Sequence, residues 1–360
     1  MEFHSLTVKE IRQETNNARV LTFAVPAELQ RNFGFKAGQY LTLEHTIDGE
    51  SVRRSYSICS GVDDDQLQVG IKRVEGGVFS NYVHEKLKVG DKLQVMQPQG
   101  EFFTPLDSEQ SKNYLFIAAG SGITPILSLI KTTLATEPDS KATLIYGNQS
   151  TATMMFKNDL SFIKNQYMSR FHWINIYSRQ PQQAEVLNGR IDNKKGAELA
   201  KKLIDLAAFD EFFLCGPEAM ISGVSRGLTG FGIKDDRIHY ELFASSAEDA
   251  KAIIEKHHAR AVKFKGKTSR IELVKGGREY QFELTADGEN LLDAGMAQGA
   301  DLPFSCKAGI CATCRCKLVS GEVEMDIDHG LQAQEIEAGY ILSCQAHPLS
   351  DTVRVDFDQS

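Results

Sequence analysis

No stretch of this 360-residue chain approaches the ~18 to 20 uninterrupted apolar residues of a membrane span. The most apolar region, residues 114–130, is broken by Gly120, Ser121, Gly122 and Pro125, so a membrane-embedded protein is not expected. Excess positive charge is missing too. Lys and Arg number 40 against 48 Asp and Glu, and the net charge of −8 repels phosphate backbones, which argues against a nucleic-acid partner. The opening residues, Met1-Glu2-Phe3-His4-Ser5-Leu6, lack the basic and apolar regions of a secretory leader, and the expected location is the cytoplasm. Internal repeats and low-complexity runs are absent. With 42% hydrophobic and 24% charged residues, the composition is that of ordinary globular domains, and at roughly 150 residues per domain two to three of them are expected.

Up to about Thr104 the chain reads as short alternating segments, such as residues 20–25, 41–44 and 67–71, separated by Gly and Asp turns about every ten residues; this predicts an antiparallel β-barrel. From Asn113 the pattern changes to buried strand, helix, strand. Strands are expected at residues 114–119, 142–146, 173–177 and 211–215, with a helix over 125–133, which predicts a doubly wound parallel α/β sheet. Residues 245–260 carry no strong apolar stripe and read as a tether. Beyond it, residues 269–274 and 280–284 flank Gly276-Gly277 as a hairpin, and residues 290–298 read as a helix.

Cysteine is scarce, seven in all and an odd number, but five lie near the C-terminus. Cys306-x4-Cys311-x2-Cys314, with Cys344 after a further 29 residues, has the plant-type ferredoxin spacing for a 2Fe-2S cluster. Two irons need four thiolates, and three of them on one tight loop wrap the cluster while backbone N–H groups face the sulfides. Gly309 permits close backbone approach. The alternative is a four-cysteine zinc site, whose usual grammar is two Cys-x2-Cys pairs; only one such pair is present. Cys316 falls outside the pattern and is expected to be a packed thiol on the following strand.

Three further motifs point to nucleotides. In Arg54-Ser55-Tyr56-Ser57, at the end of a strand, the guanidinium can fork onto a pyrophosphate, the phenol ring can lie on a flat ring face and the hydroxyl of Ser57 can hydrogen-bond a ligand; an ordinary strand end is the plainer alternative. In Gly76-Gly77-Val78-Phe79-Ser80, two glycines before a helix expose N–H groups to a phosphate, and Ser80 can cap the helix. Gly120-Ser121-Gly122-Ile123-Thr124-Pro125 follows a buried strand and opens a helix whose dipole and free N–H groups face an anion. Cys215-Gly216-Pro217 ends the last core strand; a buried thiol at a strand end is the plainer alternative there.

The last hundred residues resemble the plant-type ferredoxins, with Pro303-Phe304-Ser305-Cys306 leading in and Leu342-Ser343-Cys344-Gln345 closing the site. The preceding motifs resemble the ferredoxin-NADP reductase superfamily, and the order of parts resembles its oxygenase reductases. The resemblance implies a flavin barrel over residues 1–106, an NAD(P) domain over 107–243, a linker over 244–262 and a β-grasp ferredoxin over 263–360. It implies FAD held by Arg54, Tyr56, Ser57, Gly76, Gly77, Val78, Phe79, Ser80 and Phe243, with Tyr240 a competitor for the stacking role. NADPH is expected on Gly120, Gly122, Thr124, Gly216 and Pro217, with Ser178 and Arg179, and secondarily Arg190, on the 2'-phosphate; otherwise Arg179 is a solvated loop charge. Ser57, Cys215 and Glu241 are expected along the hydride path, and Cys306, Cys311, Cys314 and Cys344 on the irons.

NADPH gives up two electrons as a hydride and the cluster accepts one at a time, so FAD between them explains why three sites share a chain. The implied partner is an oxygenase component, a di-iron enzyme acting on an aromatic CoA thioester; other oxygenases, desaturases or the hybrid-cluster protein are alternatives, as is a non-catalytic redox sensor. Between Gly321 and Tyr340 stand Glu322, Glu324, Asp326, Asp328, Glu335 and Glu337 without any Lys or Arg: either a docking face for a basic partner or a solvated surface.

Overall fold

The computed structural model describes residues 2–202, 204–242, 256, 259–260, 262–264, 266–304 and 306–359. Phe243 and most of the expected linker, 244–262, lie outside the described residues. The chain divides into two units, Met1–Glu241 and Leu242–Ser360.

The first unit opens with β1 (Phe3–Thr15), β2 (Ala18–Ala24), β3 (Tyr40–Ile47), β4 (Glu50–Ser57), β5 (Leu67–Lys72), α1 (Val78–Glu85) and β6 (Lys92–Met96). The strands form one antiparallel sheet in the order β4-β3-β6-β1-β2-β5. Its edges meet where Ile58 bridges Val69 and the Cys59 N–H donates to the Gln68 carbonyl at 2.9 Å, closing the expected barrel. Period-two alternation turns Leu6, Val8, Leu41, Leu43, Leu93 and Val95 inward, all fully buried. Each such side chain contributes about 1.5–3 kcal/mol on leaving water.

Next come β7 (Asn113–Ala119), α2 (Ile123–Thr136), β8 (Lys141–Asn148), α3 (Lys157–Gln166), β9 (Phe171–Tyr177), α4 (Asn193–Lys202), β10 (Glu211–Gly216), α5 (Glu218–Gly230) and β11 (Ile238–Leu242). The sheet order is β11-β10-β7-β8-β9, with β10, β7, β8 and β9 parallel. Tyr114, Phe116, Leu144 and Tyr146 share a core with α2 and α3, while Leu115, Ile117 and Ile145 line an apolar cavity against α4 and α5. Helices therefore cover both faces, as expected of a doubly wound fold. The chain winds outward from β7 to β9 and returns beside β7 as β10, so the switch point lies at the carboxyl ends of β7 and β10. In such sheets ligands bind in that crevice.

In the second unit β12 (Thr268–Lys275) and β13 (Arg278–Thr285) form the expected hairpin, with Gly276 and Gly277 at φ +60° and +69° in a turn that demands left-handed residues. α6 (Leu291–Ala297) starts at Asn290, whose side chain accepts the Asp293 N–H at 2.9 Å. With β14 (Arg315–Ser320), α7 (Ala333–Glu337), β16 (Tyr340–Leu342) and β18 (Thr352–Asp356), the five-stranded order is β13-β12-β18-β14-β16; β15 (Val323–Met325) pairs separately with β17 (Ala346–Pro348). Cys316 is fully buried on β14, as expected. Among the described residues no helix is long and apolar enough to cross a membrane.

Candidate functional site

β4 delivers Arg54, Tyr56 and Ser57 to the end of the barrel, and alternation puts Arg54 and Tyr56 on one face with Ser57 on the other. Arg54 is exposed, with one Nη1 bond to the Arg53 carbonyl at 2.6 Å. Tyr56 lies 5.8 Å, centroid to centroid, from Phe79 on α1, so β4 and the glycine turn converge. Gly76 stands at φ +71°, and a Cβ on Gly77 would sit 2.7 Å from the Ser80 hydroxyl, which is why both positions require glycine. One detail differs from expectation. Ser80 does not cap the helix: the cap position is Gly77, with no side-chain bond, and the Ser80 hydroxyl instead accepts the Val74 N–H at 3.1 Å, closing the turn from below. The first N–H groups of α1, at Val78 and Phe79, are left uncapped by any side chain and suit an anion.

The Gly120-Ser121-Gly122 turn follows β7 at the switch point. Gly120 takes φ +56°, its carbonyl accepts the Tyr146 hydroxyl at 2.9 Å, and Thr124 Oγ1 donates to the Ser121 carbonyl at 3.0 Å. A Cβ on Gly122 would lie 2.1 Å from the Cys215 carbonyl oxygen, so the turn sits directly on the end of β10. Gly216 is similarly close-packed, against Met220 and Ala119, and Pro217 opens α5.

Three expected hydride-path residues meet here. Ser57 Oγ donates to Glu241 Oε2 at 3.0 Å across 184 residues of sequence, and the Glu241 carboxyl acts electrostatically on the Cys215 thiol. Glu241 is half-buried, and burial raises its carboxyl to about 8 against the lowering effect of the Ser57 bond. At neutral pH it keeps its proton. Burial, helped by Glu241, pushes the Cys215 thiol well above its ordinary range, so it is a neutral packing group and no nucleophile.

At the other end of the crevice, Ser178 N–H and Arg179 N–H extend the β8–β9 ladder by donating to the Asn148 and Gln149 carbonyls, each at 2.9 Å. Asn188 bridges Tyr177 and Gly189 N–H donates to the Tyr177 carbonyl at 2.8 Å, which brings Arg190 to the edge from which Arg179 emerges. Both guanidinium groups belong to exposed residues.

In the second unit the cysteine loop carries three left-handed residues, Lys307, Gly309 and Ala312, at φ +51°, +72° and +52°. A Cβ on Gly309 would come within 2.9 Å of both Ile327 and Gln345. The four thiols fall into two hydrogen-bonded pairs, Cys306 with Cys311 and Cys314 with Cys344. Sharing a proton within each pair lowers Cys306 and Cys344 and raises Cys311 and Cys314. Ala308 N–H points at Cys306 Sγ from 3.3 Å, Ile310 and Cys311 N–H groups also bond Cys306, and Gly309 N–H bonds Cys344. Among the described residues no single point gathers three or more metal-binding side chains. Four soft thiol donors, three of them on one loop whose N–H groups face sulfur, suit a sulfur-rich iron cluster.

Residues 5–104 match the oxidoreductase FAD-binding domain, 116–226 the oxidoreductase NAD-binding domain and 274–349 the 2Fe-2S iron-sulfur cluster binding domain. The chain is 44% identical over 356 residues, 99% of it and 98% of the relative, to the E subunit of 1,2-phenylacetyl-CoA epoxidase from Escherichia coli (strain K12). The chain belongs to the ferredoxin-NADP reductase-like family of oxygenase reductases. This reductase is also 32% identical over 363 residues, covering 98% of it and 96% of the relative, to the ferredoxin reductase component of 3-ketosteroid-9-alpha-monooxygenase from Rhodococcus rhodochrous. It shares its fold with phthalate dioxygenase reductase at a TM-score of 0.60 and 22% identity, over 99% of this chain and 98% of that one. It is a flavin and iron-sulfur oxidoreductase that takes FAD, a pyridine nucleotide and a 2Fe-2S cluster.

Two residues of the reductase carry no signal in the sequence. Lys72, the last residue of β5, is half-buried with no ion-pair partner among the described residues, and its Nζ lies 3.6 Å from where a Cβ on Gly120 would stand. Burial lowers its pKa, so the glycine turn after β7 has a partly desolvated cation beside it. Arg260, with a side chain 2% exposed, binds Glu324 at 2.7 Å and Asp326 at 2.6 Å. The acidic run is therefore not uncompensated: Asp326 is also bound by His347, Glu335 is bound by Arg315, and only Glu322 and Glu337 have no ion-pair partner among the described residues. A single Arg or Lys at the end of a strand or tether carries no signature, so neither was legible.

Proposed function

We propose that the reductase takes a hydride from NADPH and delivers the electrons singly, through FAD and the 2Fe-2S cluster, to an oxygenase of the phenylacetyl-CoA epoxidase kind, in the cytoplasm. Bound FAD supplies the conversion of one two-electron delivery into two single ones. The observation that carries the reading is the meeting of Ser57, Glu241 and Cys215 at the switch point, beside a phosphate turn and away from bulk water. The partner rests on end-to-end similarity to a component of that epoxidase.

In this reading Arg54 and the uncapped start of α1 hold the FAD pyrophosphate, Tyr56 covers the ring, and Ser57 bonds its N5. Phe243, outside the described residues, is the further FAD contact in this reading. Gly120, Gly122, Thr124 and Lys72 take the dinucleotide pyrophosphate, Gly216 and Pro217 shape the nicotinamide pocket, and neutral Glu241 holds a proton beside it. Arg179, with Ser178 and Arg190, pairs with the 2'-phosphate and so selects NADPH over NADH. Cys306, Cys311, Cys314 and Cys344 would hold the irons of the cluster, which supplies the one-electron exit. The corresponding domains are 1–106, 107–243 and 263–360, joined by 244–262.

The test is an anaerobic titration followed by reconstitution. NADPH should bleach the visible absorption of both flavin and cluster, and adding the oxygenase components of the epoxidase with phenylacetyl-CoA should couple NADPH oxidation to oxygenated product. Bleaching and cytochrome c reduction with no coupling to those components would reassign the acceptor to another oxygenase. Purified, fully loaded protein that NADPH leaves coloured would end the reading.

A further inference from the structure

Gln345 follows Cys344 and is 7% exposed, unusual for a glutamine. Its Nε2 faces three acceptors: the Lys307 carbonyl at 3.1 Å, the Cys344 carbonyl at 3.0 Å and Cys344 Sγ at 3.7 Å. Lys307 is the left-handed residue next to Cys306, so one amide ties the loop bearing three of the thiols to the fourth, in the turn between β16 and β17. The stem of Gln345 matters as well. Its Cγ is 2.9 Å from any Cβ on Gly309, so the glutamine and the loop glycine fit each other. The Gln345 carbonyl accepts the Asp326 N–H at 3.0 Å, and Asp326 is clamped by Arg260 and His347, which fixes the backbone from which the amide reaches.

We propose that the Gln345 side-chain amide is a positioning residue for the iron-sulfur cluster, holding Cys344 and the Cys306 loop at their working separation and, through N–H donation to the Cys344 sulfur, favouring the reduced form. The proposal rests on the assignment of Cys344 as a cluster ligand. An N–H donor stabilises the more negative of two charge states, and reduction adds one electron to a sulfur-rich centre, so removing the donor favours the oxidised form.

The experiment uses the full-length loaded protein with Gln345→Met, which keeps an unbranched stem of similar length and removes both N–H donors. In anaerobic dye titrations followed by the electron paramagnetic resonance of the reduced cluster, the balance should shift about tenfold toward oxidised, or about 59 mV for one electron. NADPH-driven flavin bleaching should keep its wild-type rate, which separates failure of this proposal from failure of the electron-transfer reading. A loaded Met variant with a wild-type potential overturns the proposal. If the Met variant does not retain a cluster, Gln345→Asn, whose amide is one methylene short of the sulfur, is titrated instead; a shift toward oxidised supports the proposal and a wild-type potential overturns it. A purely packing role would change cluster retention without moving the potential in either variant.

Discussion

The cysteine loop and the hydride crevice are built in opposite ways. In the loop, three thiols, three left-handed residues and the N–H groups that face sulfur all lie within residues 306–314, and only Cys344 and Gln345 arrive from elsewhere. The crevice takes Ser57 from the end of β4, Cys215 from the end of β10 and Glu241 from β11, each in a different short segment and two of them joined across 184 residues. A centre whose ligands must wrap a small inorganic core needs several donors on one short segment, so its chemistry is written as spacing. A centre that must bring two flat organic rings together uses the rims of two sheets, so its chemistry is written as topology.

The sharpest way to break that comparison is to damage each half separately. Replacing Cys311 by Ser should remove the visible and paramagnetic signals of the cluster and lower electron delivery to cytochrome c by roughly a hundredfold or more, since the flavin remains with no one-electron exit, while stopped-flow flavin reduction by NADPH stays unchanged. Equal losses in both assays would mean that the two regions are not independent. Gly122→Ala should do the reverse: a Cβ placed 2.1 Å from the Cys215 carbonyl forces the Gly120-Ser121-Gly122 turn off β10. It should cost about 3 kcal/mol, read as a lowered denaturation midpoint of the flavin and nucleotide unit with the cluster signal intact.

Arg179→Asp sharpens the crevice itself. A carboxylate there repels a 2'-phosphate and accepts a 2'-hydroxyl, so the ratio of kcat/KM for NADPH over NADH should fall by roughly thirtyfold, and an unchanged ratio would move the selectivity elsewhere. The smallest effect concerns Glu241. Burial holds its proton up to pH about 8, so between the ordinary carboxylate range and that pH the folded state carries more protons than the unfolded chain, and stability falls as pH rises through the window. The protonated fraction drops roughly tenfold between pH 7 and 9, and flavin reduction should decline with it. Glu241→Gln should flatten both pH profiles; profiles that keep their slopes would assign them to another group.

Much of the frame was legible because it follows from period. Alternation marked the barrel strands, strand-helix-strand order marked the parallel sheet, Gly276-Gly277 marked a hairpin that needs two left-handed residues, and Asn290 marked a helix start. Ser80 was legible as a glycine-turn residue but not in its partner, because a hydroxyl three residues into a helix reaches either the cap or the preceding loop, and packing decided for Val74. The acidic run between Gly321 and Tyr340 looked uncompensated because Arg260, which binds two of its members, lies more than sixty residues upstream.

Sequence alone carried what is local: four thiols at ferredoxin spacing within the region that matches a 2Fe-2S domain, and glycines where the backbone must turn with positive φ. Tertiary structure alone decided which ordinary side chains acquire unusual properties. A carboxyl keeps its proton near neutral pH, a lysine becomes a half-buried cation without an ion-pair partner among the described residues, and a glutamine becomes a donor to sulfur only when folding removes water and supplies a partner. Desolvation and hydrogen-bond geometry depend on every element packed around a group, and no single segment of the chain contains that information.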